Sequence, residues 1–336
     1  MEIWSGPLEN LPASGVLRGP SAVALGTFDG VHLGHQKLIR AMVDSARRAN
    51  LQAVVFTFDR HPLQVLRPQS APPSLTDNEG RARQIAQTGA DLLLVCPFTP
   101  EFAALPPEAF VQKILGEMLQ ARQVWVGFNF TFGRGGAGTA AQLLHLAAPL
   151  GMEVHVLPAV RVGGQVVSSS LIRKLLLAGR VAEAARLLGR PYCLSGKVVR
   201  GEGRGRQLGF PTANLQIDPG LLWPADGVYA ARAGLAGAAE EYGALVSIGD
   251  KPTFGGRQRV LEAYLIDWQG SLYGSELRVE FLEWLRPQIR FPGAAALRAQ
   301  MEEDLAKVRG LFQEVRFTQA VTYDTIKQDR DSISSP

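Results

Sequence analysis

The sequence predicts an α/β chain in two parts: a parallel sheet covered by helices, then an antiparallel β-barrel with a C-terminal helix. Three observations carry that expectation. From Ala22 to about Leu188, apolar runs of strand length alternate with segments of helical period. From Tyr192 onward, short β runs follow one another with no helix between them. The length of 336 residues also suits two domains better than one.

The elements follow in order. Ala22 to Leu25 is an apolar strand, and a turn rich in Gly and Asp leads to a helix ending near Asn50. Leu38, Ile39, Met42, Val43 and Ala46 give that helix one apolar stripe. Gln52–Phe58 reads as a buried strand. Thr76 to Glu79 reads as a capping box opening a helix that reaches about Thr88. Asp91–Cys96 is a second apolar strand. Pro107–Gln120 is a helix with Pro early and Glu108 in its first turn. Gln123–Phe128 and Met152–Leu157 are strands and Thr139–Leu150 is a helix, while Ser168 or Ser169 caps the next helix. Beyond Gly189, the β runs are Tyr192–Arg200, Gly227–Ala233, Tyr242–Ile248, Val260–Asp267 and Glu276–Trp284. A helix over about Gly293–Arg309 follows, with Gly310 placed to end it. Domains are therefore expected at 1–186 and 187–315, with a polar, poorly ordered tail at 316–336.

Composition narrows the function classes. The 35 basic residues against 31 acidic give a net charge of +4, scattered rather than gathered into the stripe a nucleic-acid binder shows. No apolar run is long enough to span a bilayer, and the N-terminus lacks a signal-peptide pattern. The two cysteines, Cys96 and Cys193, sit in apolar strand-like settings and read as buried thiols of a cytoplasmic protein.

The most informative stretch is Ala24 to His35, Ala-Leu-Gly-Thr-Phe-Asp-Gly-Val-His-Leu-Gly-His. A strand, a glycine turn and a helix N-terminus make a place for a phosphate. Gly26 and Gly30 permit close backbone approach, and His32 and His35 add donors that follow developing charge. The same residues also fit a plain helix N-terminus, or two metal ligands sharing a helix face; a zinc site is disfavoured because no Cys cluster or third His lies nearby. Three further motifs fall at strand ends, where ligands of parallel sheets sit. These are Phe56-Thr-Phe-Asp-Arg-His-Pro62, Val126-Gly-Phe-Asn-Phe-Thr-Phe-Gly133 and Val167-Ser-Ser-Ser-Leu-Ile-Arg173. The last sets hydroxyls at a helix start with Arg173 one turn inward, which suits a triphosphate or an ordinary serine cap.

In the second part the chemical core is Gly201 to Asn214, Gly-Glu-Gly-Arg-Gly-Arg-Gln-Leu-Gly-Phe-Pro-Thr-Ala-Asn. Its glycines, Gly203 and Gly205 among them, allow close approach. Thr212 and Asn214 offer neutral oxygens on one strand face, hard ligands suited to Mg²⁺ with ATP. By itself the stretch also fits a flexible Gly–Arg loop, Arg200 to Arg206, against RNA.

These motifs resemble the bacterial bifunctional riboflavin kinase/FAD synthetases. The first segment is similar to the HxGH signature of nucleotidyltransferases, and GRGRQLGFPTANL, DGVYA, VSIGDKPTF, LEAYLID and LRPQIRF are similar to riboflavin kinase. The resemblance spans about residues 15–310. It implies a Rossmann-like nucleotidyltransferase domain plus a riboflavin kinase barrel, converting riboflavin to FMN and FMN to FAD with Mg²⁺ and ATP. It implies that Gly26, Phe28, Asp29, Gly30, His32, His35, Ser169 and Arg173 handle ATP phosphates, and that His61, Pro62, Asn129 and Phe132 meet the flavin nucleotide. In the barrel it gives Thr212 and Asn214 to Mg–ATP beside Gly203 and Gly205, and makes Glu262 the base on the ribityl hydroxyl. The expected partners are ATP, riboflavin, FMN and FAD, with no nucleic acid or membrane; the oligomeric state stays open. The chain departs from the family at Arg60, where Pro is usual, at Ser170, where Thr is usual, and in the less charged Arg134–Gly138. Two rival readings remain: a chain that is mainly a riboflavin kinase, and a flavin or nucleotide sensor that binds RNA.

Overall fold

A computed structural model describes residues 1–11, 15–201, 205, 209–253 and 256–312, the side chains of 251–258 excepted. The chain divides into two compact units. One holds Met1–Ile172 with Leu187–Gly189 and Gly220–Leu222; the other holds Arg173–Arg186, Arg190–Pro219 and the chain from Trp223 onward.

The first unit starts with strand β1 (Glu2–Ser5), then β2 (Ser21–Leu25), helix α1 (Leu33–Ala49), β3 (Gln52–Phe58), the short α2 (Pro62–Leu66) and α3 (Asn78–Ala86). After β4 (Leu92–Cys96) come α4 (Pro100–Ala103) and α5, α-helical over Pro107–Ala109 and π-helical over Phe110–Met118. Strand β5 (Ala121–Gly127) follows, then the two-residue pair β6 (Thr131–Phe132) and β7 (Gly138–Thr139), α6 (Ala140–Ala147) and β8 (Glu153–Leu157). A second small pair, β9 (Arg161–Val162) and β10 (Gln165–Val166), leads to α7 (Ser169–Leu177) and α8 (Val181–Leu188), of which the stretch Arg173–Arg186 is assigned to the second unit.

The sheet order is β1-β4-β3-β2-β5-β8, every pair parallel. Alternation along the strands divides the core. Val23, Leu25, Val54 and Phe56 face one apolar cluster with Phe110 and Leu115 of α5. Ala22, Ala24, Ala53 and Val55 face another with Leu38, Ile39, Met42, Val43 and Ala46 of α1, the stripe the sequence predicts. Asn50, in the left-handed region at φ 50°, closes that helix.

Several local expectations change. Strand β1 pairs with β4 at the sheet edge and escaped the sequence reading, because three of its four residues are exposed and show no alternating burial. The box at Thr76 is not used; Asp77 caps α3, its carboxylate accepting from the Gly80 N–H at 2.5 Å. Ser168, rather than Ser169, caps α7 by accepting from the Leu171 N–H at 3.3 Å. Cys96 is buried, which pushes its thiol up to about 12, but Cys193 is only half-buried.

The second unit contains β11 (Tyr192–Val199), β12 (Ala213–Ile217), β13 (Gly227–Leu235), β14 (Tyr242–Thr253), β15 (Gly256–Leu265) and β16 (Glu276–Arg286). They close a barrel in the order β11-β12-β15-β14-β13-β16, all contacts antiparallel. Helix α9, residues 294–312, packs Val308 into a cluster with Val228, Ala230, Leu245 and Ile266. Gly310 lies inside this helix rather than ending it. The partly buried Leu311 and the Phe312 ring beside Gly243 hold the last turn, outweighing the roughly 1 kcal/mol a mid-helix Gly costs. The tail at 316–336 lies outside the described residues, as do Gly203, Arg204 and Arg206.

Candidate functional site

The loop between β2 and α1 sits at the carboxyl end of the sheet. The Gly26 N–H still belongs to the sheet, donating to the Phe56 carbonyl at 3.3 Å, and the Phe28 ring covers the space a Cβ at Gly26 would take. The backbone then enters the left-handed region at Phe28 (φ 47°), Gly30 (φ 77°) and Val31 (φ 38°). For Phe and β-branched Val this is strained, of order 1–3 kcal/mol each, and persists only where the surroundings over-determine it.

Those surroundings are specific. Asp29, 8% exposed, accepts from the Leu75 N–H at 2.8 Å, and its own carbonyl accepts from Ser169 Oγ at 2.9 Å. Ser169 thus holds the loop as well as standing at the start of α7. Thr57 Oγ1 donates to the Thr27 carbonyl at 3.1 Å. Arg81 Nη1 donates to the same carbonyl at 3.1 Å, while its Nη2 reaches the Phe58 carbonyl at 2.5 Å and Asn78 Oδ1 at 2.7 Å. Sequence reasoning missed Arg81, because in the chain it resembles the exposed Arg83 two residues on.

The loop delivers two stacked histidines. His32 caps α1, its Nδ1 accepting from the His35 N–H at 3.3 Å. The two rings stack with centroids 3.6 Å apart and a 16° interplanar angle, and Phe28 meets His35 edge-on at 5.2 Å. Gly34 between them lets the rings lie close, since a Cβ there would come within 3.1 Å of the His32 ring. Burial first, and then the neighbouring His32, hold the His35 imidazole well below its ordinary 6.5. His35 Nδ1 is buried with no hydrogen-bond partner among the described residues. A neutral imidazole with an unused polar atom is ready to take a partner that arrives with a ligand.

Next to the loop, β3 ends in Asp59-Arg60-His61-Pro62. Arg60 pairs with Asp59 at 2.8 Å, and His61 Nδ1 accepts from the Leu63 N–H at 3.1 Å to cap α2. A run of phenylalanine rings joins the ends of β3, β4 and β5. Phe58 meets Phe98 and Phe102 at 4.9 and 5.1 Å, and Phe110 and Phe130 meet Phe132 at 5.4 and 5.7 Å. Phe132 is buried, its ring lying over Gly138, whereas Phe128 and Asn129 are exposed. Arg173 lies one turn beyond Ser169 on α7.

In the barrel the register brings together what the sequence separates. Asn214 on β12 stands directly opposite Glu262 on β15, and Ser247 on β14 stands opposite Glu262 on its other side. Directly opposed residues share a face, so an amide, a carboxylate and a hydroxyl form one row across three strands. Leu261, Ala263 and Leu265 alternate with Glu262 and are buried. Gln288 Nε2 donates to Ser247 Oγ at 2.9 Å, extending the row with a residue that sequence reasoning did not single out. The glycines are there for close approach. A Cβ at Gly201 would collide with the Asn214 carboxamide; one at Gly205 would collide with the Phe210 carbonyl and lie 3.3 Å from Thr212 Oγ1. The Phe210 N–H donates back to the Gly205 carbonyl at 2.9 Å, and the Phe210 ring meets Tyr264 edge-on at 5.6 Å.

The Thr212 hydroxyl and the Asn214 carboxamide oxygen are hard, neutral donors of the kind a phosphate-borne Mg²⁺ takes. No group of three or more His, Cys, Asp or Glu that could hold a metal by itself occurs among the described residues.

A profile of the FAD synthetase family matches residues 17–171, and one of the riboflavin kinase family matches residues 188–312. The Listeria monocytogenes protein named bifunctional riboflavin kinase/FMN adenylyltransferase is 36% identical over 295 residues, 87% of this chain and 93% of its own. The Bacillus subtilis protein of the same name is 37% identical over 302 residues, 88% of this chain and 94% of its own. A crystal structure from Streptococcus pneumoniae, described as a macrolide-efflux protein, matches with a TM-score of 0.82 at 30% identity, covering 92% of this chain and 99% of that one. In the present chain no helix among the described residues is long and apolar enough to cross a membrane.

Proposed function

The chain belongs to the bifunctional riboflavin kinase/FMN adenylyltransferase family, and from that premise we propose how its two halves divide the work. The barrel phosphorylates riboflavin with ATP to give FMN. The parallel-sheet half then transfers AMP from a second ATP to FMN, giving FAD and pyrophosphate. The observation that carries this reading is the direct cross-strand pairing of Asn214 with Glu262, with Gly201 against the Asn214 carboxamide and Gly205 near Thr212 Oγ1.

In the kinase step, Glu262 accepts the proton of the ribityl hydroxyl as that oxygen attacks the γ-phosphorus and ADP leaves. Thr212 and Asn214 hold the ATP phosphates together with Mg²⁺, and the family resemblance gives Gly203 and Gly205 to the same phosphates, Gly203 lying outside the described residues. When bound, Mg²⁺ neutralises charge on the phosphate oxygens. Ser247, opposite Glu262 and hydrogen-bonded to Gln288, borders the carboxylate side of the row.

In the adenylyl step, His32 and His35 donate to the α-phosphate as an FMN phosphate oxygen attacks it and pyrophosphate departs. Arg173 holds the outgoing phosphates. Gly26, Phe28, Asp29 and Gly30 shape the loop, and Ser169 ties it to the start of α7. The flavin nucleotide lies against the phenylalanine wall, with Asn129, Phe132, His61 and Pro62 at its border. Neither step needs a covalent intermediate with the protein; positioning and charge stabilisation account for both. The residues work on soluble substrates, in keeping with a cytoplasmic setting.

The test is a time course with riboflavin, ATP and Mg²⁺, quenched and separated by chromatography. FMN should appear first and FAD after it. FMN that never converts would support a chain that is only a kinase. No flavin product at all, with steep salt-dependent binding of RNA, would support the sensor reading instead.

A further inference from the structure

We propose that Arg81 is a positioning residue for adenylyl transfer: its buried guanidinium fixes the spacing between the Thr27 carbonyl, in the loop that carries His32 and His35, and the Phe58 carbonyl, in the segment that leads to His61 and Pro62. The inference rests on the adenylyltransferase reading of the first unit and deepens it.

Arg81 stands on α3, 54 residues from Thr27 and 23 from Phe58. Its side chain is almost wholly enclosed, the residue being 7% exposed. Desolvation is the largest influence on it and lowers its proton affinity, while Asp29, Asp59 and Asp77 oppose that loss. Burying a guanidinium to join two carbonyls carries a desolvation cost. What the planar fork adds is geometry, because donors on one rigid group hold several acceptors at set angles. The acceptors are informative in turn. Thr27 precedes the strained Phe28, and Phe58 ends the neighbouring strand. Both lie at the carboxyl edge of the sheet, where a parallel α/β fold places its ligands. Asn78, the third partner, orients the guanidinium from its own helix. Arg81 touches no residue we assign to the reacting phosphates, so it acts through the loop.

The experiment compares R81M, R81K and N78A with the wild-type full chain in two assays, FMN to FAD and riboflavin to FMN. R81M should lower kcat for FAD formation about 100-fold, the scale on which a misplacement of roughly 1 Å acts. KM for ATP and FMN should stay within about threefold of wild type, the mark of an interaction made in the transition state. R81K, which keeps the charge and some donors but not the fork, should recover about tenfold of the loss. Riboflavin phosphorylation should not change in any variant. The inference is overturned if R81M keeps wild-type kcat, if the loss lies wholly in KM, or if R81K is no better than R81M. Should R81M not fold, N78A decides: a kcat several-fold lower at unchanged KM supports positioning, and a wild-type kcat refutes it. Wild-type protein that forms no FAD from FMN would overturn the underlying reading and this inference with it, whereas FAD formation unaffected in R81M overturns the inference alone.

Discussion

Helix α9 is fastened to the barrel by one buried ion pair, and removing it has a calculable effect. Asp304 is fully buried and Arg286 nearly so, with side-chain exposures of 0% and 16%. Arg286 donates to Asp304 Oδ2 through Nε at 2.9 Å and sits 2.7 Å from it through Nη2. Gln300 Nε2 donates to Oδ1 at 3.2 Å. Asp304→Ala would leave the guanidinium with the Pro287 carbonyl at 3.1 Å, the Phe291 ring, 5.7 Å from its centroid, and the charge of nearby Glu303. Breaking one side of a buried pair costs about 3–5 kcal/mol. Because Arg286 keeps some access to water and an aromatic face, the low end applies, about 3 kcal/mol. That raises the open population of α9 by roughly two orders of magnitude and lowers the barrel's melting temperature by roughly 10 °C. Tyr264, two residues from Glu262, packs against the same apolar cluster as Val308, so riboflavin phosphorylation should fall as well. Thermal unfolding followed by tryptophan fluorescence, together with the kinase assay, measures both. The double variant R286M/D304L should recover most of the stability, since a buried pair replaced by apolar groups is often neutral. A shift of less than about 2 °C in D304A would refute the view that this pair holds the helix.

Three further outcomes follow from the same geometry. Gly201→Ala pushes a methyl into the Asn214 carboxamide, so ATP should bind the kinase site at least tenfold more weakly, about 1.4 kcal/mol, as read by calorimetry with Mg–ATP. His35 titrates well below its ordinary 6.5, so in acid the unfolded chain binds a proton the folded one resists. Stability of the first unit is therefore full above pH 6.5 and declines as pH falls below it; melts at stepped pH should show the slope, and H35Q should flatten it. Arg173–Arg186 clusters with the barrel unit, and the Ala225 N–H donates to the Leu176 carbonyl at 2.9 Å. A fragment beginning at Arg173 should thus melt more cooperatively and at higher temperature than one beginning at Arg190.

What was legible in the sequence was local. The His32–His35 segment announces itself because strand, turn, cap and helix lie within a dozen consecutive residues. The alternation of strand and helix, and its loss after Gly189, give both architectures through short-range periodicity alone. The rest depended on contacts distant along the chain. Arg81 looks like any surface arginine of an amphipathic helix until its two carbonyl partners arrive from β2 and β3. The opposition of Asn214 and Glu262 is a matter of strand register, which a 48-residue separation leaves unspecified in the sequence. Asp77 won the cap of α3 from Thr76 because its carboxylate reaches the Gly80 N–H. Gly310 reads as a helix end, yet packing of Leu311 and Phe312 carries the helix past it.

The division of labour between the two halves is tested most directly by crossing two variants with two assays. Glu262→Gln keeps the shape of the side chain and removes its basicity; riboflavin phosphorylation should drop roughly 100- to 10,000-fold while supplied FMN is still converted to FAD. His35→Ala should do the reverse, lowering FAD formation by about 100- to 1,000-fold while FMN accumulates at the wild-type rate. Loss of one reaction in each variant with the other intact is the predicted result. A Glu262→Gln enzyme that phosphorylates riboflavin normally, or a folded His35→Ala enzyme that makes FAD normally, would contradict it.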